Sequence, residues 1–266
     1  DGVKGAIQKL EKYNGCILAD SVGLGKTFEA LGIIKFYESR GSRVLVLAPK
    51  KLRENWTQYQ IITGSTLNQF QEDRFNYTVL NHTDLRDNGK QGDIDLSNFN
   101  WGMYDLVVID ESHNFRNDTK GKLLEDGTRK KSRYEKLMQD VIQKGVNTKV
   151  LLLSATPVNV HLKDLRNQIY FFTKGQDFAF KENLSINSLN ALLANAQRQF
   201  TMWADPLQNP DRRVNDLLEK LPPLFFKLLD ELTIARSRKH IEKYYAESMK
   251  VIGKFPTRGK PVSIHS

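Results

Sequence analysis

Residues 17–27 read ILADSVGLGKT, and this stretch decides the fold. An apolar run typical of a strand leads into it, and a helical pattern follows it. Gly23 and Gly25 let successive backbone N–H groups turn inward, and the helix N-terminus adds positive charge from its dipole. Lys26 can reach the β- and γ-phosphates of a nucleotide, and Thr27 can ligate Mg²⁺. The stretch therefore predicts a phosphate-binding loop at Gly23, Leu24, Gly25, Lys26 and Thr27.

The composition is ordinary for a globular chain, with 39% hydrophobic and 27% charged residues among 266. No apolar run approaches the roughly 18–20 residues of a membrane span, and no signal-peptide pattern precedes the first strand. The single cysteine, Cys16, cannot form an intrachain disulfide. We therefore expect an intracellular protein, in a bacterial or archaeal cytoplasm, or in a nucleus if the source is eukaryotic.

The net charge is +9, which permits a polyanionic partner. Part of the excess lies in residues 232–266, which carry eight Lys and Arg against two Glu. Because runs of charge are usually solvated surfaces, this segment by itself leaves nucleic-acid binding and simple solvation equally open.

Short apolar runs alternate with amphipathic stretches over the first 157 residues. Such alternation predicts an α/β domain with a parallel sheet that helices cover on both faces. The polar segment 114–132 predicts a loop or insertion. The predicted strands are 16–19, 44–48, 78–80, 106–109 and 150–153.

After Pro157 the pattern becomes helical, and no further strand is predicted. Helices are expected within 162–172, 185–203 and 214–245, with prolines between and after them. This predicts three parts, which are a nucleotide-binding core at 1–160, a helical insertion or protrusion at 161–245, and a basic segment at 246–266.

A second motif, VVIDESH, occupies residues 107–113 and follows directly from a predicted strand. Carboxylates at the C-terminal end of a buried parallel strand lie in the crevice where open α/β sheets bind ligands. Asp110 can hold Mg²⁺, and Glu111 can orient and deprotonate an attacking water. With the phosphate loop, this motif predicts nucleotide hydrolysis with Lys26, Asp110 and Glu111 as catalytic residues and with Thr27 and Asp110 at the metal.

A third motif, LLLSATP, covers residues 151–157. Its hydroxyls, Ser154 and Thr156, follow a predicted buried strand. By themselves such residues are more often ordinary turn residues than members of a site.

Taken together, GLGKT at 23–27, DESH at 110–113 and SATP at 154–157 resemble motifs I, II and III of superfamily-two helicases. The longer strings around them are similar to the Swi/Snf-like branch, in which an aspartate at the position of Asp20 is usual. VLAP at 46–49 resembles motif Ia of that branch.

The resemblance implies a RecA-like P-loop domain, the first of two lobes of an ATPase that uses ATP and Mg²⁺ and translocates on double-stranded DNA. It also implies that His113, Ser154 and Thr156 couple the state of the nucleotide to the grip on DNA. The implied nucleic-acid contacts are Pro49, Lys50, Lys51, Asn55, Trp56, Arg236 and Arg238.

Three departures from the family pattern matter. Ser112 stands where the branch usually has alanine, which is a small change. The family's adenine-reading glutamine would precede Asp1, and motifs IV to VI of the second lobe, with their arginine fingers, would follow Ser266. We therefore expect a second lobe in a longer chain, and weak or no hydrolysis by these residues alone.

Two other functions remain open. One is an RNA-directed helicase of the same superfamily, and the other is a regulatory P-loop module that binds ATP without acting as a motor. ATPase stimulation by duplex DNA or by duplex RNA separates the two motors, and a regulatory module would respond to neither.

Overall fold

The computed structural model describes residues 2–21, 23–63, 68–86, 89–91, 94–123, 125, 127, 129–158, 161–207 and 209–236. The strands in these ranges are β1 (Gly15–Leu18), β2 (Val44–Ala48), β3 (Thr78–Asn81), β4 (Lys90–Gln91), β5 (Ile94–Asp95), β6 (Leu106–Asp110), β7 (Lys122–Leu123), β8 (Arg129–Lys130), β9 (Lys149–Leu153) and β10 (Thr233–Ile234). The α-helices are α1 (Gly2–Tyr13), α2 (Lys26–Glu38), α3 (Glu54–Thr57), α4 (Arg133–Lys136), α5 (Leu162–Ile169), α6 (Lys181–Leu184), α7 (Leu189–Ala204), α8 (Val214–Lys220) and α9 (Pro223–Leu232). A π-helical stretch, Leu137–Gln143, continues α4.

Six parallel strands form the central sheet, in the spatial order β10-β1-β9-β6-β2-β3. Their side chains alternate between two apolar clusters, so that Ile17 joins one cluster and Cys16 and Leu18 join the other. Helices α1 and α2 cover one face, and α5, α7 and α9 contribute to the other. The predicted α/β fold with a parallel sheet covered on both faces is confirmed.

The direction of the strands positions the site. In a parallel sheet all C-terminal ends lie along one edge, where the following loops form a ligand crevice. The loops after β1, β2, β6 and β9 therefore share an edge, and these loops carry the three motifs and the segment that resembles motif Ia.

The chain after Pro157 departs from the prediction in one respect. The expectation of no further strand is wrong, because Thr233 and Ile234 pair in parallel with Ile17 and Leu18 of β1. A two-residue strand is too short to show in an apolar pattern, and its partner lies at the other end of the sequence. The boundaries at residues 160 and 245 stay predictions, and the segment 246–266 lies outside the described residues.

Two further differences are local. Helix α1 was not predicted, and it packs its buried residues Ala6 and Leu10 against the sheet. The segment 114–132, predicted as a loop, contains the antiparallel pair β7–β8. None of the helices in the described ranges is long and apolar enough to cross a bilayer.

Candidate functional site

The loop between β1 and α2 has the backbone that phosphate binding requires. Gly23 and Gly25 have φ values of 84° and 80°, in the left-handed region that favours glycine. Gly25 immediately precedes α2 and has no side chain with which to cap it. The first N–H groups of α2 therefore point toward the loop, and the helix dipole adds positive charge there.

Lys26 is held inside this loop. Its Nζ donates to the backbone oxygen of Asp20 at 2.8 Å, and the oxygen of Ser21 lies 3.5 Å away. These carbonyls keep the ammonium group over the loop, where a nucleotide phosphate would compete for the same donor. The following residue, Thr27, is half-buried in the first turn of α2.

Asp110 ends β6 with both carboxylate oxygens engaged. The backbone N–H of Glu111 donates to Oδ1 at 2.9 Å, and the indole Nε1–H of Trp56 donates to Oδ2 at 3.0 Å. Burial raises the pKa of Asp110, while the hydrogen bond from Trp56 and the charge of Lys26 act in the opposite direction. The indole therefore fixes the orientation of the predicted metal ligand.

Glu111 starts a chain of contacts that joins the second and third motifs. Its backbone lies in the left-handed region, at φ 49° and ψ 51°, which is strained for a residue with a side chain. Its Oε2 lies 3.2 Å from Nδ1 of His113, and that nitrogen lies 3.4 Å from Oγ of Ser154. The Ser154 hydroxyl oxygen accepts from the N–H of Thr156 at 3.1 Å. Neighbouring strands β6 and β9 thus place His113 against the predicted base and Ser154 against His113, and Thr156 joins them through its backbone N–H.

A buried ion cluster fixes the start of the phosphate loop. Asp20 is fully buried, and its Oδ1 accepts from the backbone N–H of Arg236 at 2.7 Å. The Arg236 guanidinium donates to Oδ2 of Asp20, with Nε at 3.0 Å, and also to Glu29 of α2. Gly2 allows α1 to approach this cluster, since a Cβ there would lie 2.6 Å from Oε1 of Glu29.

The pKa shifts in this cluster follow from its burial. Burial alone would lower the pKa of the Arg236 guanidinium, but the hydrogen bonds that it donates to Asp20 and Glu29 raise it above its ordinary value. Burial raises the pKa of Glu29, and Arg236 opposes that shift. Arg236 therefore stays charged and holds both carboxylates.

The residues predicted to contact nucleic acid differ in how exposed their side chains are. Lys50, Lys51 and Asn55 are exposed at the C-terminal edge of the sheet, beside the half-buried Pro49. Trp56, by contrast, is fully buried and donates to Asp110, so its side chain is not available to contact DNA.

The Arg236 guanidinium likewise donates to Asp20 and Glu29, so it is not available to contact DNA. Arg238 lies outside the described residues.

The residues present fit a nucleotide with Mg²⁺. The α2 N-terminus and Lys26 provide donors for phosphate oxygens, and the Thr27 hydroxyl and Asp110 carboxylate are oxygen ligands of the kind that Mg²⁺ takes. Mg²⁺ at such sites commonly uses one or two protein ligands together with the phosphates. Within the described ranges, no group of three or more His, Cys, Asp or Glu side chains could hold a metal ion without a nucleotide.

Sequence reasoning missed two interactions at this site. One joins Trp56 to Asp110, and the other joins Arg236 to Asp20 and Glu29. No local pattern indicates either, because each partner is separated from the other by tens to hundreds of positions.

Comparisons with known proteins agree with these motifs. A family model described as SNF2-related domain matches residues 1–182. Among solved structures, the Sulfolobus solfataricus SWI2/SNF2 ATPase core in complex with dsDNA aligns with 89% of this chain and 43% of its own, at 14% identity and a TM-score of 0.48.

Two curated relatives show higher identity. The uncharacterized ATP-dependent helicase YqhH of Bacillus subtilis is 31% identical over 175 residues, which are 62% of this chain and 28% of that protein. The human DNA annealing helicase and endonuclease ZRANB3 is 31% identical over 134 residues, which are 45% of this chain and 12% of that protein. The chain thus spans less than a third of the length of these relatives.

Proposed function

Because this chain belongs to the SNF2-related domain family, we propose that it is the ATP-binding lobe of a DNA-stimulated ATPase that translocates on double-stranded DNA. The observation that carries the proposal is the meeting of three motifs at one edge of the sheet. The phosphate loop, the Asp110–Glu111 pair and the His113–Ser154 contact all follow strands whose C-terminal ends lie along that edge.

Each residue has a separate task in hydrolysis. Lys26 and the first N–H groups of α2 bind phosphate oxygens, with Lys26 exchanging its contacts with the loop carbonyls for phosphate contacts. Thr27 and Asp110 would hold Mg²⁺, which offsets the negative charge on the phosphates when bound. Glu111 orients the attacking water and accepts its proton.

The chain of contacts from Glu111 through His113 to Ser154 supports a coupling role for the third motif. Any shift of the loop after β9 alters the contact of Ser154 with His113, and His113 touches the base directly. The exposed cations Lys50 and Lys51 lie at the same edge and are available for DNA phosphates. A second lobe in the full-length protein would supply the arginine finger, which typically contributes about 10³–10⁵ in rate.

The proposal is tested by ATP hydrolysis of the full-length protein without nucleic acid, with duplex DNA and with duplex RNA. We expect stimulation by duplex DNA. Lys26→Ala removes the charge that faces the phosphates and is expected to cost about 2–4 kcal/mol, or roughly 30- to 1,000-fold in nucleotide affinity or turnover.

Lys4→Ala, at an exposed position of α1, is the matched control, with the parent rate expected. Equal affinity and turnover in Lys26→Ala would overturn the nucleotide site. Stimulation by RNA alone, or by neither duplex, would overturn the DNA motor.

Trp56→Phe tests the role of the indole in positioning Asp110. Phenylalanine keeps an aromatic ring at this buried position but is smaller than the indole and lacks the N–H that holds Oδ2, so a control for the lost volume is needed. Because residues that orient a metal ligand typically change metal affinity by 10–100-fold, we expect the Mg²⁺ concentration for half-maximal nucleotide binding to rise about tenfold. Equilibrium binding of a fluorescent ATP analogue across a Mg²⁺ titration measures this half-maximal concentration.

Trp101→Phe is the control, since Trp101 is also buried but its indole nitrogen has no hydrogen-bond partner among the described residues. Its Mg²⁺ dependence should match that of the parent protein. The same Mg²⁺ dependence in Trp56→Phe as in the parent would show that the indole does not position Asp110.

A further inference from the structure

The hairpin β7–β8 forms one wall of a basic cleft that no motif explains. The hairpin lies between the DESH motif and α4, and the cleft has a volume of about 490 Å³. Arg86, which ends the 3₁₀ turn after β3, also lines the cleft. The cations that line the cleft are Arg86, Lys120, Lys122, Lys130 and Lys131.

Like charges face one another in this cleft. Lys122 and Lys130 are direct cross-strand partners in the hairpin, an arrangement that destabilises an antiparallel pair. Arg133, at the start of α4, has a lowered pKa because of burial and because of the charge of Arg86. An anion between these groups would relieve the repulsion.

The carboxylates near the cleft form ion pairs and hydrogen bonds with other groups. Asp140 lies 2.9 Å from Nζ of Lys131 and also 2.9 Å from Nζ of Lys144. Glu135 accepts from Arg129 and from the backbone N–H of Gly121.

As a result, four of the cleft's cations have no carboxylate partner among the residues that the structure describes: Arg86, Lys120, Lys122 and Lys130. Among the described residues, therefore, no carboxylate forms an ion pair with these four cations.

The sheet order places this cleft next to the proposed DNA face. Strand β2 lies between β6 and β3. Lys50 and Lys51 follow β2, the hairpin comes after β6, and Arg86 comes after β3. Cations from three neighbouring strand ends thus lie along one edge of the sheet, and a polyanion bound at Lys50 and Lys51 could continue toward the cleft.

We propose that hairpin β7–β8 and Arg86 form a second binding site for the phosphodiester backbone of duplex DNA, in addition to Lys50 and Lys51. This inference rests on the proposed DNA-stimulated function and extends its DNA contacts. The site binds phosphates and reads no bases, because its donors are flexible lysine ammonium groups and one guanidinium. It increases affinity for DNA of any sequence.

The test is the salt dependence of duplex DNA binding by the full-length protein carrying Lys120→Gln, Lys122→Gln and Lys130→Gln together. Each phosphate contact contributes about 0.9 to the slope of log K against log salt. We expect the slope to fall by about 2 to 3 and the dissociation constant at low salt to rise about tenfold or more. ATP binding and DNA-independent hydrolysis should not change, since none of these lysines contacts the nucleotide site.

The control removes the same charge from exposed lysines on other elements, with Lys4→Gln, Lys181→Gln and Lys220→Gln. An unchanged slope in the hairpin variant, or an equal fall in the control, would overturn the proposal. Inorganic tripolyphosphate provides a second arm. One contrary outcome is that tripolyphosphate binds tightly through the hairpin lysines while the salt dependence of duplex DNA binding is the same in the parent and the hairpin variant. The cleft would then be a binding site for a small polyphosphate, and the proposal would also fail.

These outcomes are distinct from failure of the proposed function. If duplex DNA stimulates hydrolysis in the parent protein and Lys26→Ala abolishes turnover, the motor assignment holds whatever the hairpin variant does. If the parent protein binds no duplex DNA, the proposed function and this inference fail together.

Discussion

Glu111→Gln in the full-length protein is expected to bind ATP almost as the parent does and to hydrolyse it about 10²–10⁴-fold more slowly. The amide has nearly the shape of the carboxylate but cannot accept a proton from water. The backbone of Glu111 is in the left-handed region, and its carboxylate Oε2 lies 3.2 Å from Nδ1 of His113. Single-turnover hydrolysis and equilibrium binding of ATP separate the two effects.

Glu72→Gln is the matched control, because Glu72 is exposed and lies in a short turn away from the motifs. It should hydrolyse ATP at the parent rate. If Glu111→Gln also kept that rate, the base would be another group. If it lost ATP affinity and turnover together, Glu111 would act in binding instead of in proton transfer.

Arg236→Met is expected to lower the free energy of unfolding of this domain by about 3–5 kcal/mol. The methionine roughly preserves the volume of the side chain but leaves Asp20, which is fully buried, facing Glu29 without a cation. Removing one partner of a buried ion pair leaves an uncompensated charge, and that desolvated charge is the source of the penalty. Urea-induced unfolding measures the change.

Two further variants test whether the unpaired buried carboxylate causes the loss of stability. Lys12→Met removes the more exposed pair with Glu231 and should change the free energy of unfolding far less, because water already solvates the Lys12 ammonium group. Adding Asp20→Asn to Arg236→Met should recover part of the lost stability, since the buried carboxylate is gone. If Arg236→Met destabilised no more than Lys12→Met, the cluster would not anchor the phosphate loop.

The sheet and the main parts of the site could be predicted from the sequence. Strands buried on both faces must be apolar along their whole length, so β2 and β6 stand out as the runs 44–48 and 106–109. Because parallel strands share an edge, the residues after β1 and β6 themselves predict one common site. A role for the motif after β9 is expected only from the family resemblance. The close approach of His113 to Ser154 is consistent with that expectation.

Other features depend on contacts between distant parts of the chain. Strand β10 has two residues, too few for a periodic pattern, and exists by pairing with β1. The resemblance to motif Ia places Trp56 among the nucleic-acid contacts, yet its indole is fully buried and donates to Asp110. Arg236 belongs to a basic segment in the sequence, but its guanidinium lies between two carboxylates.

The sequence by itself predicts the nucleotide chemistry, because the Gly-Lys-Thr loop and the Asp-Glu pair are local patterns whose residue types suit phosphate and Mg²⁺. Only the tertiary structure decided which charged groups remain available to a partner. Asp20 neutralises Arg236 from 216 positions away, whereas Arg86 and the hairpin lysines meet like charges and have no carboxylate partner among the described residues. Charge is a property of a residue, but burial and pairing depend on the residues that the fold brings beside it.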